Sequence, residues 1–236
     1  MSVRIGIDAL TLISETFEPL PGARLLDVGC GAGRLASALL ARGAFVIGVD
    51  PDERAITAAQ GSAPAAEFRV ARAESLPFKR GTFDGVIFLN SLHHVPEPAM
   101  GPALSEAARV SASTGSVLVV EPLAEGSFFS AFRFVEDETE IRAAAQSAVM
   151  DSVARGNLKL ERTVEFVRKE RFADLDAFLV RVLAADRSRE LAVCKHRSEI
   201  EAEFVRVSRR DEHGLFVLDQ PLRAHVLKPV PVSQNR

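Results

Sequence analysis

The first 121 residues alternate between short apolar segments and longer segments with helical spacing of their apolar positions. Short β-branched or apolar runs bounded by turn residues indicate buried strands. The predicted strands are residues 24–28, 44–49, 67–70, 84–89 and 116–120. Helices are predicted between them, at 32–42, from about residue 53, and at 102–110. This alternation predicts βαβ units and a parallel sheet with helices on both faces.

The alternation weakens after Pro122. An acidic run at 136–140 leads into an alanine-rich segment closed by Arg155-Gly156, which predicts a helix whose acidic start complements its dipole. We interpret the acids as a helix-start signal and not as a metal site. The remaining elements are a strand at 161–169, helices at 174–183 and 198–207, and strands at 215–218 and 224–227. The last two strands flank Asp219-Gln220-Pro221, which predicts an antiparallel hairpin at a sheet edge.

Composition places the chain among folded proteins that do not span a membrane. It is 47% hydrophobic and 26% charged, and no apolar run approaches the roughly 20 residues of a membrane span. The first residues mix an acid into their apolar stretch, which argues against a secretion signal. Cys30 and Cys194 lie in unrelated contexts, so we expect reduced thiols and a cytoplasmic location.

Charge and aromatic content exclude further classes of function. Residues 1–121 carry 10 basic and 13 acidic side chains, and residues 122–236 carry 19 of each. Neither half is a basic surface, so nucleic-acid binding is not expected. Tyr and Trp are absent, while Phe occurs 15 times. This removes any tyrosine general base.

The segment 25–33 turns from a predicted strand through three alternate glycines, Gly29, Gly31 and Gly33, into a predicted helix. Such a turn lets the backbone approach a ligand closely and aims a helix N-terminus at it. Asp50 ends the second strand, where a carboxylate can accept hydrogen bonds from both ribose hydroxyls. This pairing fits a nicotinamide cofactor or S-adenosylmethionine. The alternative is a tight turn and a helix cap without a ligand.

Two further segments distinguish these readings: residues 73–78, followed by 81–84, and residues 90–95. Together with 25–36 and 46–51, they resemble the class I S-adenosylmethionine-dependent methyltransferases, most closely the small-molecule group often called type 11. The resemblance covers about residues 20–125. The third glycine also comes one residue too early for the nicotinamide fingerprint G-x-G-x-x-G.

The resemblance implies an α/β fold, a Rossmann-like doubly wound, mostly parallel sheet with an inserted helical lid and the C-terminal antiparallel hairpin. We expect one structural domain with three parts: an S-adenosylmethionine-binding core at 1–125, a mostly helical, acceptor-binding lid at 126–210, and the terminal hairpin at 211–236. Expected partners are a small-molecule methyl acceptor, no nucleic acid and no membrane. The expected assembly is a monomer or a homodimer.

The same resemblance assigns the cofactor residues. Asp27 and the three glycines would surround the methionine part of S-adenosylmethionine, and Asp50 would hold the ribose. The Ala73-Glu74 loop would edge the adenine, and Asn90 would lie near the methionine end. Arg72 departs from the family pattern, which often has an acid there. An arginine cannot accept a hydrogen bond from the adenine amino group, so that role would fall to Glu74 or to backbone carbonyls.

Methyl transfer from a sulfonium is a direct displacement in which the protein mainly aligns the acceptor and excludes water. A base is needed only for a protonated acceptor. The candidates are His93 and His94, after the fourth strand, and Glu121, taken as a mouth-facing carboxylate; packing or capping is the alternative for each. No metal ligand set is expected. Phe128, Phe129, Phe132 and Phe134 would suit an apolar acceptor or simply pack in the core.

The predicted function is therefore transfer of a methyl group from S-adenosylmethionine to an oxygen or nitrogen of a small molecule. The alternative is a methyltransferase-like binding or regulatory module that holds the cofactor without methyl transfer.

Overall fold

The computed structural model describes residues 7–230. The helices are α1 Ala9–Thr16, α2 Arg34–Leu40, α3 Glu53–Ser62, α4 Glu97–Val110, α5 Gly126–Phe132, α6 Thr139–Ala154, α7 Leu175–Ala185, α8 Glu190–Lys195 and α9 Arg197–Val207. The strands are β1 Arg24–Val28, β2 Phe45–Asp50, β3 Glu67–Val70, β4 Phe83–Leu89, β5 Ser111–Pro122, β6 Leu158–Phe172, β7 Arg209–Arg210 and β8 Phe216–Pro229. Short 3₁₀ turns lie at Leu92–His94 and Arg187–Arg189.

The strands described form one sheet in the order β3-β2-β1-β4-β5-β8-β6, with β7 paired to β8. The first five strands pair in parallel, and β8 runs antiparallel to both β5 and β6. The chain builds outward from β1 to β3, then returns to place β4 on the other side of β1. Such a reversal opens a crevice at the carboxyl ends of the strands, where ligands of these sheets bind.

Alternate residues of the central strands enter two cores on opposite faces of the sheet. Leu25 of β1 packs on one face with α1, α2 and α3. Leu26, its neighbour, packs on the other face with α4 and α6. The strand period of two explains this division, because successive side chains point to opposite faces. The predicted α/β sheet with helices on both faces is confirmed, and so are β1, α3 and β3 at their expected positions.

A third core lies beyond β8 and joins the later helices. It contains Phe128, Phe129 and Phe132 of α5 together with Phe178 of α7 and Phe204 of α9. Their rings meet in edge and tilted pairs, such as Phe128 against Phe178 at 5.5 Å between centroids. The segment predicted as a helical lid thus has two parts. Strand β6 is the last strand of the main sheet, and α6 packs in the core on one face of that sheet. Helices α5 and α7 to α9 surround this separate phenyl core.

Helix α4 begins at Glu97, five residues before the predicted start at Pro102. The prediction placed that proline in the first turn, where its missing N–H costs least. In the structure it lies inside the helix. Met100 and Leu104, on either side of it, are fully buried. Their burial against the sheet outweighs the lost hydrogen bond.

Residues 113–115, directly before the predicted strand at 116–120, belong to a bulge inside β5. Phe83 pairs with Ser111, and Gly85 pairs with Ser116, so β5 has three extra residues over this interval. At Gly115 an added Cβ would lie 2.9 Å from the carbonyl oxygen of Asp84. Glycine is therefore needed where the bulged chain approaches β4.

An antiparallel strand pair closes the sheet, as predicted, but its members are β6 and β8. The two short strands predicted at 215–218 and 224–227 are one continuous strand, and the segment 219–221 is not a turn. Gln220 is paired with Arg168, and Pro221 with Val167, within the β6–β8 ladder. Hydrogen bonding to β6 along this stretch outweighs the local turn preference of Asp-Gln-Pro. The last six residues of the predicted hairpin segment lie outside the described residues.

Within residues 7–230, no helix is both long and apolar enough to cross a membrane.

Candidate functional site

The glycine turn follows β1 at the carboxyl edge of the sheet. Gly29 has φ +76°, and an added Cβ would lie 2.5 Å from the Cβ of Ser91, so only glycine fits. Gly31 has φ +50°, but no atom lies within 4 Å of the position of its Cβ. The loop is thus packed tightly from below at Gly29 and open above Gly31. Gly33 closes the turn directly before α2.

Asp50, at the end of β2, faces this loop. Its Oδ2 accepts a hydrogen bond from the Gly31 N–H at 3.0 Å, and its Oδ1 accepts one from the Asp52 N–H at 3.0 Å. The Asp50 carboxylate therefore anchors the glycine turn. A carboxylate has about four acceptor positions, so both oxygens keep capacity for a further donor. Asp52, and not Asp50, caps α3.

Asp27 lies buried just before the turn, with 3% of its surface exposed. Its Oδ2 has no hydrogen-bond partner within the described chain. Burial, together with the nearby charge of Asp50, raises the pKa of Asp27 to about 7. A buried acceptor without a donor is costly. A cationic donor bound above the loop would relieve that cost.

The loop after β3 carries the residues expected near an adenine. Ala73 is buried, and the guanidinium of Arg72 is exposed and donates from Nε to Oε1 of Glu74 at 2.6 Å. Burial raises the pKa of Glu74, but the hydrogen bond from Arg72, a backbone hydrogen bond and the charge of Arg72 together outweigh it, so the pKa is lowered. Arg72 therefore forms an ion pair with Glu74, the residue that was expected to take the adenine-binding role of the family's acid.

Asn90 follows β4 and has φ +53°, which is uncommon for a residue other than glycine. Its backbone N–H donates to the Val120 carbonyl at 2.8 Å. Its buried Oδ1 has no partner within residues 7–230. Like the Asp27 carboxylate, this side chain presents an unused acceptor at the carboxyl edge of the sheet. Such strained residues cluster at functional sites.

His93 and Glu121 form a buried pair beneath the site. Nδ1 of His93 contacts Oε2 of Glu121, and Oε1 of Glu121 accepts hydrogen bonds from the N–H groups of Ser91 and Leu92 at 3.0 and 2.8 Å. Glu121 is 1% exposed. Its strand-end position predicted a carboxylate that faces the mouth of the site. The structure differs, because the loop after β4 folds over Glu121. The carboxylate fixes that loop and the ring of His93.

His94 lies above this pair, with its ring 4.1 Å from that of His93 between centroids. The ring is exposed on one side. The protein around it, with a smaller effect of the His93 charge, lowers the pKa of His94 below its usual 6.5. The imidazole is therefore neutral at pH 7, the state that can accept a proton.

A cavity of about 230 Å³ opens beside these residues. Asn90, His93 and His94 line one side, and the phenyl rings of Phe128 and Phe132 line another. The remaining wall is polar and charged: Glu138, Arg142, Arg168, Arg181, Arg189 and Gln220. The predicted cofactor residue Asn90 and the predicted base His94 thus meet at one cavity.

One wall of the cavity is built around Glu138, which is buried at the start of α6. It accepts hydrogen bonds from Arg142 at 2.8 Å and from Arg189 at 3.0 Å. The same two guanidiniums lie over Phe129 and Phe132, at 4.7 and 4.9 Å from the ring centroids. Both cations are compensated, so this cluster is rigid.

Sequence reasoning missed this charged wall. Glu138 was interpreted only as part of a helix-start signal, and its neighbour Asp137 does cap that start by accepting from the Thr139 N–H. The spacing of Glu138 and Arg142, four residues apart on one helix, indicates an ion pair. No local pattern indicates Arg168, Arg181 or Arg189, because β6, α7 and a 3₁₀ turn bring them together only in the folded chain.

The cysteines do not contribute to the site. Both are free, Cys30 buried and Cys194 exposed. Burial, with the charges of Asp27 and Asp50 adding to it, raises the pKa of the Cys30 thiol. A thiol in that state is a poor nucleophile. Within the described chain, no group of three His, Cys, Asp or Glu side chains is placed to hold a metal ion.

The sheet order, the glycine turn and the strand-end carboxylate define a Rossmann-like α/β domain with a ligand crevice at β1 and β4. Residues 25–115 match the family model described as "Methyltransferase domain". This segment is a class I S-adenosylmethionine-dependent methyltransferase domain, as the sequence motifs predicted.

Curated relatives match a similar share of the chain. A ubiquinone biosynthesis O-methyltransferase from Leptothrix cholodnii is 38% identical over 96 residues, which are 38% of this chain and 41% of that protein. The chain thus matches about two-fifths of the length of that relative. The segment 126–210, predicted to bind the acceptor, lies outside the residues that the family model matches.

Solved structures share the fold over nearly the whole chain. The YcgJ protein from Bacillus subtilis aligns with a TM-score of 0.63 at 23% identity, covering 92% of this chain and 97% of that one. The [4+2]-cyclase SpnF aligns with a TM-score of 0.58 at 19% identity, covering 94% of this chain and 81% of that one. At these identities the likeness concerns the fold alone, and the second neighbour illustrates that one fold serves different reactions.

The residues present fit S-adenosylmethionine. The open space above Gly31 admits a ligand against the backbone, and Oδ2 of Asp27, directly before the glycine turn, is buried without a hydrogen-bond partner within the described residues. S-adenosylmethionine carries a sulfonium and an ammonium, whereas a nicotinamide cofactor would bring an anionic diphosphate to the same turn. A buried carboxylate beside the turn favours the cationic ligand.

Proposed function

We propose that the protein transfers a methyl group from S-adenosylmethionine to an oxygen or nitrogen atom of a small-molecule acceptor, by direct displacement. The single observation that carries this proposal is the buried, unpartnered Asp27 carboxylate at the open glycine turn. It is a site for a cationic nucleotide-like cofactor, and it lies within a segment that matches a methyltransferase family.

The cofactor contacts follow from the positions above. Asp27 with Gly29, Gly31 and Gly33 would hold the methionine part, and Asp50 would accept from the ribose hydroxyls. Ala73 and Glu74 would edge the adenine, and Asn90 would lie near the methionine end. The hydrogen bond from Asp50 to the Gly31 N–H supports the first two roles together, because it holds the turn and the ribose acceptor in one arrangement.

When bound, S-adenosylmethionine supplies a methyl group on a sulfonium, a strong electrophile. The chain orients the acceptor in the cavity and excludes water; orientation of this kind can supply about 7–11 kcal/mol. His94 lines the cavity as a neutral imidazole and would accept the proton of a hydroxyl or ammonium acceptor. His93 and Glu121 are positioning residues, since the Glu121 carboxylate is buried and already bonded to the loop.

Calorimetry with S-adenosylhomocysteine and with NADH tests the cofactor. We expect binding of the first ligand only, and binding of NADH alone would refute the proposal. Release of S-adenosylhomocysteine from S-adenosylmethionine across a panel of small-molecule acceptors tests the reaction.

The role of His94 has its own test. His94→Gln should lower the rate of methyl transfer about 100-fold for a hydroxyl acceptor and leave S-adenosylhomocysteine affinity unchanged. The matched control is His213→Gln, an exposed histidine far along the chain. A reduced affinity for S-adenosylhomocysteine with an unchanged rate would assign His94 to cofactor binding instead.

The second candidate is a module that binds S-adenosylmethionine without methyl transfer. The similarity to a [4+2]-cyclase supports it, because that neighbour has the same fold and a different described activity. Tight S-adenosylhomocysteine binding with no product release across a broad acceptor panel would favour this alternative.

The expected partners and location complete the proposal. The cavity volume suits a small-molecule acceptor, and the division into a core at 1–125, a lid at 126–210 and a terminal segment at 211–236 stays a prediction. A cytoplasmic location and a monomer or homodimer also stay predictions from the sequence, and sedimentation analysis would measure the assembly.

A further inference from the structure

The acceptor cavity is lined by more positive than negative charge. Four arginines contribute to its wall, Arg142, Arg168, Arg181 and Arg189, against one glutamate, Glu138. Arg142 and Arg189 are both bonded to Glu138, and Arg189 is also bonded to Glu136. The other two guanidiniums have different surroundings.

Arg168 is incompletely satisfied. Its Nε lies 2.7 Å from Oε1 of Glu170, but the buried Nε has no hydrogen-bond partner of acceptable geometry within the described chain. Burial lowers the pKa of Arg168, and the charges of Arg181 and Arg142 lower it further, against the opposing effect of Glu170. Glu170 is thus the carboxylate that faces Arg168, while two further guanidiniums, those of Arg181 and Arg142, act on the same group.

Arg181 is half-buried on α7 and has no ion pair or hydrogen bond with any residue that the structure describes. Its charge reaches Arg168. Two like-charged groups beside one cavity repel each other. They stay close together because the packing of β6 and α7 holds them there. An anion between them would remove the repulsion, and a guanidinium matches the planar geometry of a carboxylate or phosphate.

We propose that Arg168 and Arg181 bind an anionic group, a carboxylate or a phosphate, of the methyl acceptor. The phenyl rings of Phe128 and Phe132 then contact its apolar part, and His94 faces its reacting atom. The cavity, at about 230 Å³, is smaller than the roughly 300–1,000 Å³ of sites for drug-sized ligands. The acceptor is therefore a compact acid, of the size of one substituted ring. This inference names a substrate class and so rests on the proposed function.

Ligand-observed NMR titration tests the anion site directly, with S-adenosylhomocysteine present. The probes are benzoate, its neutral counterpart benzamide, and phenyl phosphate. We expect benzoate to bind at least tenfold more tightly than benzamide. Arg168→Gln and Arg181→Gln should each weaken benzoate binding about tenfold or more, as expected for loss of a charge-assisted hydrogen bond. The matched control is Arg162→Gln, an exposed arginine on the same strand as Arg168.

Each outcome decides a separate point. Equal binding of benzamide and benzoate, or unchanged benzoate affinity in Arg181→Gln, would overturn the anion site. Tighter binding of phenyl phosphate than of benzoate would support the site and assign it to a phosphate. Arg181→Lys keeps the charge, so it should retain more affinity than Arg181→Gln; equal losses would count against the charge. Circular dichroism of each variant confirms folding.

Failure of the proposed function gives a different result. If S-adenosylhomocysteine does not bind in calorimetry, the methyltransferase proposal fails, while the benzoate titration without it still measures the anion site. If S-adenosylhomocysteine binds and the anions do not, the proposed function stands and the inference about the acceptor fails.

Discussion

The two halves of the proposed site differ in whether backbone or side chains form most of their surface. In the cofactor half, residues 24–90, the backbone makes the surface: a glycine turn, a strand end and two buried acceptors without donors, Asp27 and Asn90. In the acceptor half, side chains from four separate elements make the wall, and most of their charges are already paired. The cofactor half is thus incomplete without a ligand, whereas the acceptor half is largely held by its own ion pairs.

This difference has consequences for substitution. Removing a paired charge from the acceptor half, as at Glu138, leaves buried partners uncompensated and should affect folding. Removing a charge from the cofactor half should affect binding and, for Asp27, should relieve strain in the free protein. The predictions below test this contrast from the largest expected effect to the smallest.

Glu138→Gln should destabilise the protein most. It would leave Arg142 and Arg189 buried with their shared carboxylate gone, and breaking a buried pair in this way costs about 3–5 kcal/mol. Urea unfolding followed by circular dichroism measures the change. The matched control is Glu136→Gln, because Glu136 also binds Arg189 but is 48% exposed; its loss should cost less than about 1 kcal/mol. Equal costs for both variants would contradict the buried-cluster interpretation.

Asp27→Asn should act in the opposite direction on stability. The folded-state pKa of about 7 lies above the ordinary 3.8, so the acid is stabilising when protonated. Its contribution is lost as pH rises from about 4 to 7. The variant should therefore gain about 4 kcal/mol at pH 8 and little at pH 4.

The same variant should bind S-adenosylmethionine more weakly, because the carboxylate that pairs with its cationic part is gone. Urea unfolding at both pH values and calorimetry at pH 8 measure the two effects. Asp84→Asn, at a carboxylate bonded to the Arg24 N–H near the surface, is the control. We expect the wild type to lose stability relative to Asp27→Asn between pH 4 and 8. If the wild type instead gains stability relative to the variant, Asp27 is ionised without cost.

Asp50→Ala should weaken S-adenosylhomocysteine binding about 100-fold or more, a change of about 2.7 kcal/mol. Both the ribose acceptor and the hydrogen bond to the Gly31 N–H are lost. Asp52→Ala is the control: it removes the cap of α3 at a cost of about 1 kcal/mol of stability and leaves the carboxylate at position 50. Calorimetry measures both affinities, and an unchanged value for Asp50→Ala would exclude the ribose role.

His225 lies on β8, the strand that joins β5 to β6 and so connects the two halves. Burial, with the nearby charge of Arg223, lowers the pKa of His225 to about 4 against the opposing effect of Glu165. Its stabilising contribution is present above pH 6.5 and is lost as pH falls toward 4. At pH 5 the loss should be about 2 kcal/mol.

His225→Gln should remove that part of the pH dependence, measured as the difference in urea unfolding between pH 7.5 and 5. His213→Gln, at an exposed histidine, should leave it unchanged. An identical pH dependence in wild type and His225→Gln would show that another group controls acid sensitivity.

The sequence by itself determined the first half of the molecule. Strand and helix periods gave the order of β1 to β5, because each side chain there is buried on a predictable face. The motif residues Asp27, Gly29, Gly31, Gly33, Asp50 and Asn90 meet at the carboxyl edge because parallel strands end there together. The match of the segment 25–115 to a methyltransferase family also follows from these local patterns.

Only the tertiary structure decided the second half. Pairing with β6 holds Asp219-Gln220-Pro221 in a strand against its local turn preference. Glu121 became a buried anchor, because the loop after β4 folds over it. The arginines of the acceptor wall lie on β6, α6, α7 and a 3₁₀ turn, far apart in sequence. These arginines form one charged wall only because packing brings their elements to one cavity. The spacing of residues along the sequence does not indicate such contacts between distant segments.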